Sequence, residues 1–177
     1  GSVGNVYMSY KLAGVLTLLL GVIGAGMEKR FLRDAADEAL DAAVSSGPTL
    51  HLLALLNAHT RHRRPSAASK AAVLQERCLG NLRVGTVVNG GLQGDAASID
   101  TMLLIRSLKW GLEGREQAGR DAARKSCRRL QRAVGATRFG ELVDQSLEKD
   151  TSGKLTIQKA AGTGKTNSSA SSQRGMT

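Results

Sequence analysis

The hydrophobic positions begin as one unbroken run. Residues 12–27 read LAGVLTLLLGVIGAGM, without a charge, and the apolar character extends back to Val3 across Lys11. As a helix the run is ~24 Å long, or ~37 Å counted from Val3, against a hydrocarbon core of ~30 Å. Ala13, Thr17, Gly21 and Ala25 recur every fourth residue. Small side chains in that row let a second helix approach closely within a membrane. Lys29-Arg30-Phe31-Leu32-Arg33 follows, the positive flank expected on one side of a span. Residues 3–27 are therefore read as an anchor helix that spans or half-enters a membrane. A core helix and a signal sequence, with Gly24 and Gly26 at the cleavage positions, are the rival readings.

After the run the period becomes that of amphipathic helices. Residues 27–44 put Phe31, Ala35, Ala39 and Ala42 on one face and Asp34, Asp37, Glu38 and Asp41 on the other, and Ser45-Ser46-Gly47-Pro48 stops them. Thr49 caps a helix from Leu50 to about His62, apolar nearly all round at Leu52, Leu53, Leu55 and Leu56. A basic knuckle, Arg61-His62-Arg63-Arg64-Pro65, closes it. Ser66 then caps a helix through Ala71, Leu74, Cys78 and Leu79 that ends at Gly80-Asn81. Residues 82–94, with Asn89-Gly90-Gly91, predict an irregular loop or one small hairpin. Asp95 or Ser98 opens a helix through Met102, Ile105 and Leu108 that breaks at Gly111 or Gly114. Residues 115–134 form a long helix ended by Gly135, and residues 137–149 a shorter one capped by Thr137. The expected fold is mostly α: a small bundle of about six helices, with a helical domain at 28–149 behind the apolar segment 3–27. Residues 150–177 follow as a polar, basic tail expected to be flexible.

Composition sharpens this picture. Aromatic residues make up 3% of the 177 positions, so the core must be built from Leu, Val and Ala. That scarcity disfavours β-sandwiches and aromatic platforms for single-stranded nucleic acid. Two cysteines and three histidines make neither a disulfide scaffold nor a zinc cluster. The net charge of +10 is unevenly placed, with a balance of −1 over residues 1–60 and an acid-free basic segment over 151–177. Such a distribution attracts phosphate, whether on RNA or on anionic lipid.

The candidate chemistry lies in that basic part. Arg120, Arg124, Arg128 and Arg132 recur every fourth residue, flanked by Lys125 and Arg129. Guanidinium groups in a row suit the phosphate oxygens of a nucleic-acid backbone or of lipid headgroups. With Arg61, Arg63 and Arg64 of the knuckle they are the candidate anion- and partner-binding residues. Residues 148–159, EKDTSGKLTIQK, resemble an EF-hand calcium loop, with Asp150 and Ser152 at ligand positions and Gly153 at the sharp turn. The chain departs from that pattern at Glu148, where Asp is expected, and at Lys159, where a bidentate Glu is needed, so a polar turn is the reading taken. Gly164-Lys165-Thr166 lacks the earlier glycine of a phosphate loop, since Lys159 stands there. His51, His59 and His62 have no carboxylate nearby in sequence to complete a metal set.

No catalytic, cofactor-binding or metal-binding residue is expected. The sequence points to a non-enzymatic structural or accessory subunit of a larger membrane-associated assembly, with other subunits and anionic lipid as partners. A chain opening at Gly1 without an initiator Met fits import and processing, for example into a mitochondrion with an address at its inner membrane, or else an expression scar at Gly1-Ser2. The rival reading is a nucleic-acid-binding structural protein of a virion or an organellar ribosome, with RNA as its partner.

Overall fold

A computed structural model describes residues 2–25, 30–46, 49–82 and 100–162. Among them eight helices account for 87% of positions, with no strand. They are α1 (Ser2–Gly24), α2 (Arg30–Ser46), α3 (Thr49–His59), α4 (Pro65–Asn81), α5 (Thr101–Glu113), α6 (Gln117–Val134), α7 (Ala136–Ser146) and α8 (Thr151–Ala161). The mostly helical bundle agrees with the sequence, but the helices number eight rather than about six. The irregular or hairpin segment expected at 82–94 lies, beyond Leu82, outside the described residues.

The bundle is built around α4. It contacts α1, α2, α3, α5 and α6, and its most extensive partner is α6. Its buried residues (Ala67, Ser69, Ala71, Ala72, Leu74, Gln75, Cys78 and Leu79) are mostly small, so neighbouring helices approach on several sides. Its approach to α6 is close, since a Cβ on Gly119 would stand 2.9 Å from the Ser69 Cα, and α5 meets α6 as closely, where one on Gly111 would stand 2.9 Å from the Ala123 methyl. Helix α4 opens on Pro65 with an extended Arg64 as its N-cap, two residues ahead of the expected Ser66 cap. Asp100 caps α5 by accepting from the Leu103 N–H at 3.0 Å, so that helix starts later than Asp95 or Ser98. Gly135 ends α6 as expected, with a φ of 86° that side-chain-bearing residues rarely adopt.

Three readings are corrected. Among the described residues no helix is long and apolar enough to cross a membrane. The apolar run is instead a core helix: Leu16, Leu20 and Ile23 of α1 are buried against the bundle, and α1 packs on α2, α3 and α4. On α2 the buried row is Ala36, Leu40 and Val44, whereas Phe31 is 72% exposed and Ala35, Ala39 and Ala42 face solvent. Leu and Val bury more apolar area than alanine, and the inward turn brings two acids onto α4. The Lys70 ammonium lies 2.8 Å from Asp37 and 2.7 Å from Asp41, and Arg77 lies 2.7 Å from Asp41. Finally, residues 151–161 are helical where a polar turn in a flexible tail was expected. Asp150 caps α8 by accepting from the Gly153 N–H at 2.8 Å, and it pairs with Lys109. Both oxygens of the Asp150 carboxylate are thus engaged within the chain. Residues 163–177 lie outside the described residues.

The Lys70 side chain is only 11% exposed, so Lys70→Gln strips Asp37 of its cation and leaves Asp41 beside it with Arg77 alone. The expected loss is about 2 kcal/mol at neutral pH, read by urea denaturation. Burial raises the Asp41 carboxyl, but hydrogen bonds and charge from Arg77 and Lys70 outweigh it and hold the group below its ordinary value. Its contribution is therefore present above the unfolded carboxylate range and is lost as pH falls through the folded value. The wild type should lose stability on that acid limb, and Asp41→Asn should flatten it.

Candidate functional site

The α4 seam fixes which helix ends lie together. Ser69 of α4 abuts Gly119 of α6 and, further along both, Glu76 meets Arg129, so these helices run parallel with Pro65 and Arg115 near one level. Helix α2 also runs parallel to α4, because Lys70 meets Asp37 and Asp41 while Arg77, two turns on, meets only the later Asp41. Five residues back along both helices, about 7 Å, Leu32 comes level with Pro65, so the first turn of α2 stands beside the knuckle that carries Arg61, Arg63 and Arg64. The end of α1 joins the same region: the Arg64 guanidinium donates to the Gly21 carbonyl at 3.2 Å, and the Ser66 hydroxyl to the Ile23 carbonyl at 3.3 Å. Arg61 lies over the Trp110 ring, 5.5 Å from its centroid, which brings in the end of α5.

One end of the bundle thus carries Arg30, Arg33, Arg61, Arg63, Arg64, Arg115 and Arg120. Among the described residues the acids at this end are Asp34, which faces Arg30 at 3.8 Å, Glu113, which faces Lys109 at 3.5 Å, Asp121, which faces Arg124 at 2.6 Å, and Glu116. Helix dipoles do not decide the potential here. The N-termini of α2, α4 and α6 and the C-termini of α1, α3 and α5 meet at the same end, and their partial charges oppose one another. The side chains set the sign. Among the described residues Arg33, Arg63 and Arg115 are exposed and make no hydrogen bond or ion pair through their guanidinium groups. A shallow cleft between the α3–α4 and α5–α6 junctions opens here, lined by Thr60, Pro65, Ser69, Trp110, Arg115 and Glu116 among others.

The row on α6 divides by role. It lies one residue beyond the buried positions Gly119, Ala123 and Cys127, so its members reach back onto the bundle. Arg120 donates to the Gly114 carbonyl at 2.8 Å and also to the Arg115 carbonyl and Gln117. Arg124 pairs with Asp121 at 2.6 Å, and Arg128 donates to the Ala160 carbonyl at the end of α8 at 3.3 Å. Arg129 donates to the Glu76 carbonyl at 3.3 Å and lies 3.4 Å from its carboxylate. Arg132 donates to the Arg128 carbonyl at 3.3 Å, and Lys125 is exposed. Only Arg120 of this row reaches the arginine-rich end; the others run away from it along α6.

The small-residue row of α1 lies at the margin of its packing face. Ala13 and Gly21 are half-buried, Thr17 and Ala25 are exposed, and a Cβ on Gly21 would meet no atom within 4 Å. Thr17 donates to the Ala13 carbonyl at 2.9 Å and lies 3.3 Å from the His59 ring nitrogen. Desolvation, then the neighbouring His62 charge, holds His59 below its ordinary value. Burial pushes both thiols, Cys78 and Cys127, up to about 12, so they pack as small apolar groups. Among the described residues no three of His, Cys, Asp and Glu converge on a point that could hold a metal ion. Comparison with known families, curated proteins and solved structures finds no match for the chain.

Proposed function

We propose that this chain is a non-enzymatic accessory subunit of a membrane-associated assembly, held to an anionic surface by the arginine-rich end of its bundle. The observation that carries the reading is the convergence of arginines from α2, the α3–α4 knuckle and the α5–α6 junction at one end. Among the described residues three of the four acids there already face a cation of this chain. Exposed guanidiniums grouped this way attract phosphate or carboxylate groups, and their pull weakens with salt. The buried thiols and the many carboxylates paired with Lys or Arg also support a binding role over catalysis.

The test is retention on heparin, a soluble polyanion, across a salt gradient. Arg33→Gln, Arg63→Gln and Arg115→Gln together remove three charges without touching an intramolecular bond. The triple variant is expected to elute at clearly lower salt than wild type with an unchanged melting temperature. Elution at the same salt would sink the reading. A second reading, a structural protein on RNA, has its own support in the exposed Lys125, Arg128 and Arg132, which extend the positive band along α6. A strand following that band should lose affinity on Lys125→Gln and Arg132→Gln, whereas docking by the end alone should not.

A further inference from the structure

We propose that the arginine-rich end is a membrane-inserting tip, with Phe31 and Leu32 entering the headgroup–acyl boundary of an anionic bilayer while Arg30, Arg33 and Arg63 hold lipid phosphates. This rests on the polyanion-docking reading above and names its partner.

Phe31 is 72% exposed and Leu32 39% exposed, both in the first turn of α2 at the extremity of the bundle. Large apolar side chains left in water at a helix start, with an arginine on each side in sequence, have little to gain from the folded chain alone. They gain by entering a phase that takes up both an aromatic ring and an aliphatic chain. The mixture matters for the choice of partner. A nucleic-acid strand can stack on Phe31 but offers nothing to Leu32, while an acyl layer accepts both. The surrounding charge complements anionic headgroups: Arg33 and Arg63 are exposed and unpaired among the described residues, and Arg30 is tied only to an exposed Asp34 at 3.8 Å.

Helix α1 supplies the second contact. Its outward face carries Leu18, 66% exposed, and Val15, 55% exposed, although its inner face is fully used in the core. Leu18 lies six residues before Gly24, about 9 Å below this end of the bundle, within the roughly 5–10 Å depth of an interfacial contact. A bundle standing on this end and leaning towards α1 therefore wets neither Phe31 nor Leu18. No helix has to cross the bilayer. The apolar surface of the α1–α2 hairpin becomes an interfacial contact instead of a span.

The experiment is flotation of the full chain with vesicles of phosphatidylcholine alone and of phosphatidylcholine with phosphatidylserine. Wild type is expected to bind the mixed vesicles and to leave the neutral ones. Phe31→Ser with Leu32→Ser should lower vesicle affinity on the order of thirtyfold, with heparin retention and melting temperature unchanged because both side chains are exposed. Arg30→Gln with Arg33→Gln and Arg63→Gln should weaken both heparin and vesicle binding. Undiminished vesicle binding by the Phe31/Leu32 variant overturns the inserting tip while leaving polyanion docking intact. Loss of heparin retention and vesicle binding in the wild type overturns both. Preference for polyuridylic acid over the mixed vesicles, indifferent to the Phe31/Leu32 change, overturns the tip in favour of RNA.

Discussion

Gly119→Leu is expected to lower the melting temperature by about 10 °C, corresponding to roughly 3 kcal/mol in a chain of this size. A Cβ at this position would stand 2.9 Å from the Ser69 Cα and 3.0 Å from its hydroxyl oxygen. The obstacle is backbone, which cannot turn aside as the end of a long side chain can, so the added bulk must push α6 off α4. That contact is the most extensive in the bundle, and the buried Cys78, Cys127 and Leu130 on these helices would lose packing with it. Alanine makes the sharper comparison. At Gly21 of α1 nothing lies within 4 Å of the added methyl, so Gly21→Ala should stabilise by about 0.5–1 kcal/mol through helix propensity alone. At Gly119 the same change gains the same propensity and loses more to the clash. Opposite signs for one chemical substitution, measured by thermal melts, would show that close helix approach resides in the α4–α6 seam. Equal signs would mean the seam relaxes freely.

The contrast also explains what the sequence disclosed. The four-residue period of small side chains was visible on α1, where it stands at the margin of a packing face. The period that matters, Gly119 followed by Ala123 and Cys127, runs one residue behind the arginines of α6, whose charge marks a solvent-facing row and not a packing one. Those arginines were legible as a row, but their neighbours were not. Nothing local says that Arg128 reaches the Ala160 carbonyl, 32 residues on, or that Arg129 reaches Glu76. The basic knuckle at 61–65 and the Lys29–Arg33 cluster were each legible as charge. Their meeting depends on parallel packing of α2, α4 and α6, which is a tertiary fact. Phe31 shows the limit of amphipathic reading most plainly: α2 has two apolar rows, and the row containing its largest side chain is the one left outside. Helix α8 was missed because its composition is polar. It is held by the Asp150 cap, by Lys109 and by burial of Ile157, Ala160 and Ala161, and closed by Gly162 at a φ of 91°.

Gln75→Glu is expected to destabilise the chain by about 3–5 kcal/mol at neutral pH and by far less in acid, although it changes one atom and no volume. Gln75 sits at the centre of α4, fully buried, where α3, α4 and α5 meet. Its amide nitrogen donates to Asn57 Oδ1 at 2.7 Å and to the Ser107 hydroxyl, which in turn donates to the Leu104 carbonyl at 2.7 Å and approaches Asn57 Oδ1 at 3.3 Å. Its own Oε1 has no partner. A carboxylate there would keep the orphaned oxygen, place a second acceptor against Asn57, and bring a charge into a site without a cation. Asn57 can turn its amide and Ser107 its proton, which relieves the hydrogen bonds but not the desolvation. The buried carboxyl is therefore held well above the ordinary value of about 4.3. A raised value means the folded state holds the proton more tightly, so the variant approaches wild type below the unfolded value. It loses ground as pH rises between the two values and levels off above the folded one. Gln75→Leu separates charge from polarity. It removes the orphaned oxygen together with the donor and leaves Asn57 the Ser107 hydroxyl, so its cost is about 1–2 kcal/mol and independent of pH. Denaturation of both variants across pH decides the matter: a Glu variant as stable as the Leu variant at neutral pH would mean that water reaches this junction and that the three helices do not close over it.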